Sequence, residues 1–409
     1  MSNQNREFRA IGTGYRLRYL REGMQFDATQ LRWGRDGELW CLLSVTTEIS
    51  GAQAVHGGSV SVGSFNLSAP AARTGRARDI QAALRAPELD VRLMLEDLAQ
   101  SVILAERAGR PIVRLQAVTP PPIDESVITV YGLPIPLRHS TIASAQGGTG
   151  KTTLGVGICG ALELSGVSTL FLDYETDEFE CRTVAERLFG PEFPDLKYRR
   201  CERPLYLEAE SIAQQIDECG IEYVVIDSAG YAADGRPEEA EVALRFFRAL
   251  RQLRVGSWTN AHISSGDNGT EKPFGSVFWF NSARAVWYLE RSTALAPANT
   301  MTVGAYQRKN NLGRLHPAVG LRFEFSPQGT AIVPVDLAED DQLASKLPVS
   351  SRMQRLLTRG PLTLSEIANE LGEKVDTVTK AATRNKATFT RILHSDGIHR
   401  IALVERRAS

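Results

Sequence analysis

Ser144-Ala145-Gln146-Gly147-Gly148-Thr149-Gly150-Lys151-Thr152-Thr153 is the stretch that decides the fold of this 409-residue chain. A strand-like apolar run, Thr141 to Ala143, precedes it, and a helix-like run, Leu154 to Leu164, follows. A strand, a glycine-rich turn and a helix N-terminus together form a phosphate cradle. Glycines let backbone N–H groups approach the phosphates, and the helix end supplies partial positive charge. Gln146, Gly147, Gly148, Thr149, Gly150, Lys151, Thr152 and Thr153 are the expected nucleotide-binding residues. Within them Lys151 reaches the β- and γ-phosphates, and the Thr152 hydroxyl ligates Mg²⁺. The motif usually opens on glycine where this chain has Ala145, but the G-K-T-T core is intact and the loop can still close. A glycine-rich turn with a stray lysine is the competing reading, and the flanking periodicity and spacing favour the cradle.

Two apolar runs beyond the loop end in acids. Ser168 to Asp173 reads as a buried strand of a parallel sheet, ending in Asp173-Tyr174-Glu175-Thr176-Asp177 at the carboxyl edge where such sheets place their sites. Glu175 is the candidate base that orients the attacking water, and Asp177 the candidate cap of a helix from Glu178 to Phe189. The competing reading makes all three acids caps. Glu222 to Ser228 is a second buried strand, and Asp227 at its end is placed to hold Mg²⁺ indirectly beside the loop. A third strand, Ser257 to Ala261, ends at His262. A histidine there either senses the γ-phosphate or is a satisfied structural group.

The order of phosphate loop, L-D-Y-E-T-D, V-V-I-D-S, A-H-I-S-S and the segment Pro273 to Trp287 resembles the RecA-like hexameric helicase core. More narrowly, it is similar to the RepA replicative helicase group among P-loop ATPases of plasmids and phages, over residues 127–335. The resemblance implies that Glu175 is the catalytic glutamate, Asp227 the strand-end metal acid and His262 the histidine sensor. It also implies an ATP site between subunits, completed by a neighbour's Arg284 and by Lys309, with Arg308 competing for the second role. A cation supplied in trans stabilises transition-state charge. Ser265 stands where a lysine often follows the histidine in that group, and the polar stretch Gly266 to Lys272 suits a channel-lining loop. Partitioning ATPases carry a lysine just before the paired glycines. Gln146 at that position, and the trailing segments Ala283 to Leu289 and Met301 to Tyr306, favour the RecA-like core.

Residues 1–117 read as a β-rich N-terminal domain, with strands over Phe26 to Arg35, Glu38 to Thr47 and Ser59 to Leu67. Helical periodicity follows over Asp79 to Leu84 and Asp90 to Ala108, then a strand over Pro111 to Leu115. Arginines 16, 18, 21, 32 and 35 beside Tyr15, Tyr19 and Trp33 form either a nucleic-acid surface or a solvated strand face over core aromatics. Residues 118–126 are a Pro-rich linker, and 336–346 a second, acidic one. Beyond it, residues 347–409 carry three helix-length runs and a hairpin, which resembles a winged helix-turn-helix. Thr363 with Glu366 makes a capping box for the second helix. Thr377, Thr379, Lys380, Thr383, Arg384 and Lys386 on the third form the candidate DNA-contacting set.

A net charge of −1 excludes a global basic field, so any nucleic-acid contact comes from local patches. Cys41, Cys159, Cys181, Cys201 and Cys219 form no C-x-x-C pair, which argues for reduced thiols. No apolar run reaches a membrane span and no leader-like segment opens the chain, so the expected location is the cytoplasm. The expected whole is an α/β RecA-like P-loop ATPase core between a β-rich domain and a winged helix-turn-helix, using ATP and Mg²⁺. The implied partners are single-stranded DNA through the ring, duplex DNA through the winged helix, and further copies of the chain in a hexamer, with no membrane. The alternative of a different class is a non-translocating ATP switch that regulates or senses DNA.

Overall fold

The computed structural model describes residues 5–12, 14–34, 36–109, 112–119, 126–263, 275–294 and 297–404. The chain divides into two compact units. One comprises Met1–Ile123 with Arg203–Ile221 and Arg245–Arg254, so two segments that the motif order assigns to the ATPase region group with the N-terminal residues. The other comprises Asp124–Glu202, Glu222–Leu244 and Val255–Ser409.

In the first unit, period-two alternation builds an antiparallel meander. Strands β1 (Arg6–Ile11), β2 (Gly14–Tyr19), β3 (Met24–Trp33), β4 (Leu39–Thr47) and β5 (Ser59–Asn66) lie in sequence order. Leu39, Cys41, Leu43 and Val45 alternate inward on β4 and join one core with Ile80, Leu95, Leu98 and Val102. Those last four residues come from helices α1 (Pro70–Leu84) and α2 (Val91–Ala108). Each large side chain so buried contributes about 1.5–3 kcal/mol. Asp90 caps α2 through the Leu93 amide. The arginine and aromatic groups weighed as a nucleic-acid surface are partly spent inside this unit. Arg16 forks onto Asp27 at 2.7 and 2.8 Å, Tyr15 donates to Glu106, and Tyr19 is buried with its hydroxyl on Asp97. The strand expected over Pro111 to Leu115 does not form among the described residues. Ile112, Val113 and Leu115 are exposed, and no neighbouring strand takes up their backbone groups, which an apolar run needs to become a strand. Residues 120–125 of the expected Pro-rich linker lie outside the described residues.

The second unit holds a hairpin, β6 (Val127–Val130) with β7 (Leu133–Pro136), and a nine-stranded sheet. The sheet contains β8 (Ser140–Ala145), β9 (Thr169–Asp173), β10 (Lys197–Arg200), β11 (Tyr223–Asp227), β12 (Gly256–His262), β13 (Ala285–Arg291), β14 (Thr300–Asn310), β15 (Val319–Phe325) and β16 (Thr330–Val335). Their order is β10-β9-β11-β12-β8-β13-β14-β15-β16, parallel from β10 to β13 and antiparallel beyond. Every residue of β9 and β11 is buried, as parallel strands covered on both faces require. Helices α3 (Lys151–Leu164), α4 (Glu178–Phe189), α5 (Leu205–Cys219), α6 (Ala229–Ala232) and α7 (Ala240–Gln252) fall between these strands in the chain, and α8 (Val277–Ser282) leads into β13. The phosphate-loop strand β8 is central, with β12 between it and the acid-ended β11. This parallel-rich mixed sheet fits the RecA-like core that the motif order implies.

The expected linker at 336–346 is a packed segment. Leu337 and Leu343 are buried with Tyr288 and Tyr306, and α9 (Asp341–Ala344) forms within it. Two leucines among the acids suffice, because each finds an aromatic surface to cover. Beyond it come α10 (Val349–Leu357), α11 (Leu364–Leu371), α12 (Val375–Arg384) and the hairpin of β17 (Phe389–Leu393) with β18 (His399–Leu403). They enclose a small core of Met353, Leu357, Ile367, Val378, Phe389 and Ile401. The Thr363–Glu366 capping box is complete, and Gly372 ends α11 in the left-handed conformation. Among the described residues no helix is long and apolar enough to cross a membrane.

Candidate functional site

The carboxyl ends of four neighbouring strands converge: Ala145 of β8 is in register with His262 of β12, and Asp173 of β9 with Asp227 of β11. From Ala145 the chain turns through the glycine-rich loop into α3. Gly148 and Gly150 adopt left-handed φ values of 69° and 83°, which a side chain would strain. At Gly150 a Cβ would also come within 2.9 Å of the Met301 methyl. The Thr149 hydroxyl donates to the Gln146 carbonyl at 2.8 Å and closes the loop. The Lys151 ammonium bends back over it, donating to the carbonyls of Gln146 at 3.0 Å and Ala145 at 3.5 Å. Burial pulls the Lys151 pKa down, against the opposing pull of Asp227 and Glu175. A polyphosphate at the α3 N-terminus would meet this cation and the helix-end amides together.

Thr152 follows, and its hydroxyl donates to Asp227 Oδ2 at 2.6 Å. Burial raises the Asp227 pKa, while the hydrogen bonds from Thr152 and Asn260 work against that rise. The peptide bond between Asp227 and Ser228 is cis. A hydroxyl and one carboxylate are hard oxygen donors, and Mg²⁺ needs only one or two of these beside waters and substrate phosphates. Among the described residues no group of three His, Cys, Asp or Glu side chains could hold a metal ion by itself. The Thr152–Asp227 pair offers the kind of oxygen donors such an ion takes.

The three acids at the end of β9 separate by role. Burial alone would raise the Asp173 pKa, yet hydrogen bonds from the Thr176 and Glu175 amides and the Thr176 and Tyr198 hydroxyls hold it below its usual value. Asp173 is thus consumed in shaping the turn. Glu175 is left half-exposed, with its Oε2 at 3.8 Å from Nε2 of the similarly half-exposed His262. Asp177 caps α4 through the Glu180 amide at 2.9 Å.

The residues implied to act between subunits lie elsewhere. Arg284 is exposed, and its amide donates to the Ser140 carbonyl at the amino end of β8. At ~3.3 Å per residue, that places it roughly 16 Å from the loop at the other end of the strand. Arg284 cannot serve its own chain's loop. Lys309 is not free either: its ammonium donates to the carbonyls of Phe280, Asn281 and Ala283 at 3.0, 2.7 and 2.8 Å, using all three of its donors at the end of α8. Arg308 lies over the Tyr306 ring at 5.0 Å. Ser265 and Gly266 to Lys272 lie outside the described residues.

On α12, Lys380, Thr383 and Arg384 are exposed, as is Lys386 beyond its end, while Thr377 and Thr379 are half-buried. The set divides between two faces. Thr379 and Thr383 share a cleft with Phe389 and Ile401 and donate to carbonyls one turn back, whereas Thr377, Lys380 and Arg384 follow one another around the adjoining face. Lys380 is paired with Asp376 at 2.6 Å.

Sequence reasoning missed Asn260 and Arg291. Asn260 is fully buried in β12, accepts from the Trp258 indole at 3.0 Å and donates to the Lys151 carbonyl at 3.1 Å. Asparagine in the middle of an otherwise buried strand was the available signal, since strands disfavour it. Arg291 ends β13 and donates to the Gly148 carbonyl at 3.4 Å. Nothing in its local sequence marks it.

No family model matches this chain, and no curated protein matches it. Among solved structures it is similar to a KaiC-like protein from the hyperthermophilic archaeon Pyrococcus horikoshii OT3, at 19% identity and a TM-score of 0.38. That likeness covers 52% of this chain and 96% of the other.

Proposed function

We propose that this chain is an ATP-hydrolysing DNA-handling motor, of the replicative helicase or initiator kind found in phages and plasmids. The observation that carries it is the Thr152–Asp227 hydrogen bond at 2.6 Å, beside the Glu175–His262 pair at the same sheet edge. Loop amides and Lys151 hold the triphosphate, and Thr152 with Asp227 hold its ion. An ion held there would neutralise phosphate charge as hydrolysis proceeds. Glu175 Oε2 accepts a proton from the attacking water, and His262 Nε2 beside it registers the γ-phosphate. Arg284, remote from its own loop, stabilises charge on a neighbouring subunit's ATP in a hexameric ring that encloses single-stranded DNA. The helices and hairpin after residue 347 act as a winged helix, with Thr377, Lys380 and Arg384 directed at a duplex groove.

One observation favours a slower machine. Lys309 is held by carbonyls at the end of α8, so one of the two implied trans cations is engaged within its own chain. In that second reading the ATPase core is a switch that regulates or senses DNA without translocating. Steady-state ATP hydrolysis with and without single-stranded DNA separates the two, with Glu175→Gln as control. Stimulation that is lost in the variant supports the motor. Slow turnover indifferent to single strands supports the switch.

A further inference from the structure

His262 ends β12 beside Glu175, and the residue after it is spent elsewhere. The Ile263 amide donates at 3.3 Å to the carbonyl of Ala145, the last residue of β8 before the phosphate loop. Its side chain is half-buried and packs against the cluster of Tyr288, Tyr306, Leu337 and Leu343. One peptide bond therefore joins the candidate γ-phosphate sensor to an apolar cluster that takes no part in holding phosphate.

That cluster anchors the root of the C-terminal helices. Tyr288 and Tyr306 are buried and stacked, with ring centroids 6.3 Å apart, and the Tyr306 hydroxyl donates to the Leu343 carbonyl at 2.8 Å. The segment around Leu343 is also tied to the end of β13. The Ser292 hydroxyl bonds Asp340, Gln342 accepts from the Thr293 amide at 2.8 Å and hydroxyl at 2.6 Å, and Lys346 pairs with Glu290 at 2.5 Å. Leu347 packs on the tyrosine cluster, whereas Val349 packs on the core of the C-terminal helices. Only Pro348 separates them, and its fixed φ leaves little slack before α10.

We infer that the γ-phosphate state met by His262 is passed through Ile263 and the tyrosine pair to the segment from Leu337 to Leu347, and so to the start of α10. The inference rests on the nucleotide reading proposed above and adds its regulation. Close-packed side chains do not deform continuously, so a displacement of Ile263 is handed to its neighbours rather than absorbed. A nucleotide shifts this segment only as far as it binds one arrangement better than the other. By linkage, whatever the C-terminal helices bind then changes ATP affinity by the same factor.

The test is hydrogen–deuterium exchange over residues 337–347 of the full chain, with Mg²⁺ and saturating AMP-PNP or ADP, saturation being set by calorimetry. In the wild type, exchange rates there should differ between the two nucleotides by at least about fivefold, the low end of ordinary couplings between sites. Ile263→Ala should bind both nucleotides and lose the difference. Tyr306→Phe removes only the hydroxyl on the Leu343 carbonyl, should likewise lose the difference, and decides the matter if Ile263→Ala does not fold. Equal rates in the wild type with both nucleotides bound would overturn the inference. So would a deciding variant in which exchange speeds up with both nucleotides while their ratio is kept, the mark of a purely structural loss. Failure of the wild type to bind either nucleotide would instead overturn the phosphate-loop reading, and this inference with it.

Discussion

The side-chain amide of Asn260 lies 3.1 Å from the carbonyl oxygen of Lys151, tying a fully buried position in β12 to the first residue of α3. The same side chain accepts the Trp258 indole N–H and helps hold the Asp227 pKa down against burial. Replacing it with leucine orphans the indole and removes a hydrogen bond from Asp227, at about 1–3 kcal/mol for each group left unsatisfied. The Asp227 pKa then rises further, so less of it is ionised at a given pH. Asn260→Leu should therefore shift the acid limb of ATP hydrolysis to higher pH and raise the Mg²⁺ requirement. A thermal destabilisation with an unchanged pH profile would make Asn260 purely structural.

Lys151→Ala should abolish ATP binding. The ammonium sits over the loop on the Gln146 and Ala145 carbonyls, at the N-terminus of α3. A drop in affinity of at least about a hundredfold, some 2.7 kcal/mol, is expected by fluorescence titration. Normal affinity in the variant would sink the phosphate-loop assignment.

Arg284→Ala should spare ATP binding and remove hydrolysis. Its distance from its own loop makes a mixing experiment decisive. Lys151→Ala subunits keep the arginine, and Arg284→Ala subunits keep an intact loop. Mixed together they should regain partial turnover that neither has alone. If Arg284→Ala alone hydrolyses ATP normally, or if both variants are inactive and their mixture stays inactive, the trans role belongs to another residue.

How much was legible follows from how local each signal is. The glycine-rich loop, the two acid-ended strands and the Thr363–Glu366 cap each depend on residues within one or two turns of each other, and the structure forms all of them. The segment from 336 to 346 reads as a linker because its composition is acidic, while its packing depends on Tyr288 and Tyr306 from distant strands. Lys309 is the same case. Its position in the resemblance implies a partner subunit, but three carbonyls of α8, nearly thirty residues earlier, take its donors. Arg291 reaches the loop only because β13 lies beside β8, which sheet order and not local sequence decides.

Lys309→Met therefore separates structure from catalysis. If the ammonium serves chiefly to cap α8, its loss should cost about 1–2 kcal/mol and lower Tm by a few degrees. Turnover per folded molecule would then hold. A Tm equal to wild type with hydrolysis reduced at least about tenfold would return Lys309 to the neighbouring subunit's site.

Asp173 gives the clearest dependence of stability on pH. It is buried, and hydrogen bonds from the turn after β9 hold its pKa below the ordinary aspartate value of about 3.9 in spite of that burial. A depressed folded-state pKa means that the ionised form stabilises the fold. That contribution is fully present above the unfolded value and is lost as pH falls through the folded one. Asp173→Asn cannot lose a charge it does not carry, and its amide would face the Thr176 and Tyr198 hydroxyls where the second carboxylate oxygen accepted. The variant should be less stable at neutral pH by about 1–3 kcal/mol, and the difference from wild type should shrink as pH drops below about 4. Urea unfolding of both proteins between pH 7 and the acid limit of folding measures this. A destabilisation that stays constant across that range would show that the hydrogen-bond geometry, and not the carboxylate charge, is what the turn depends on.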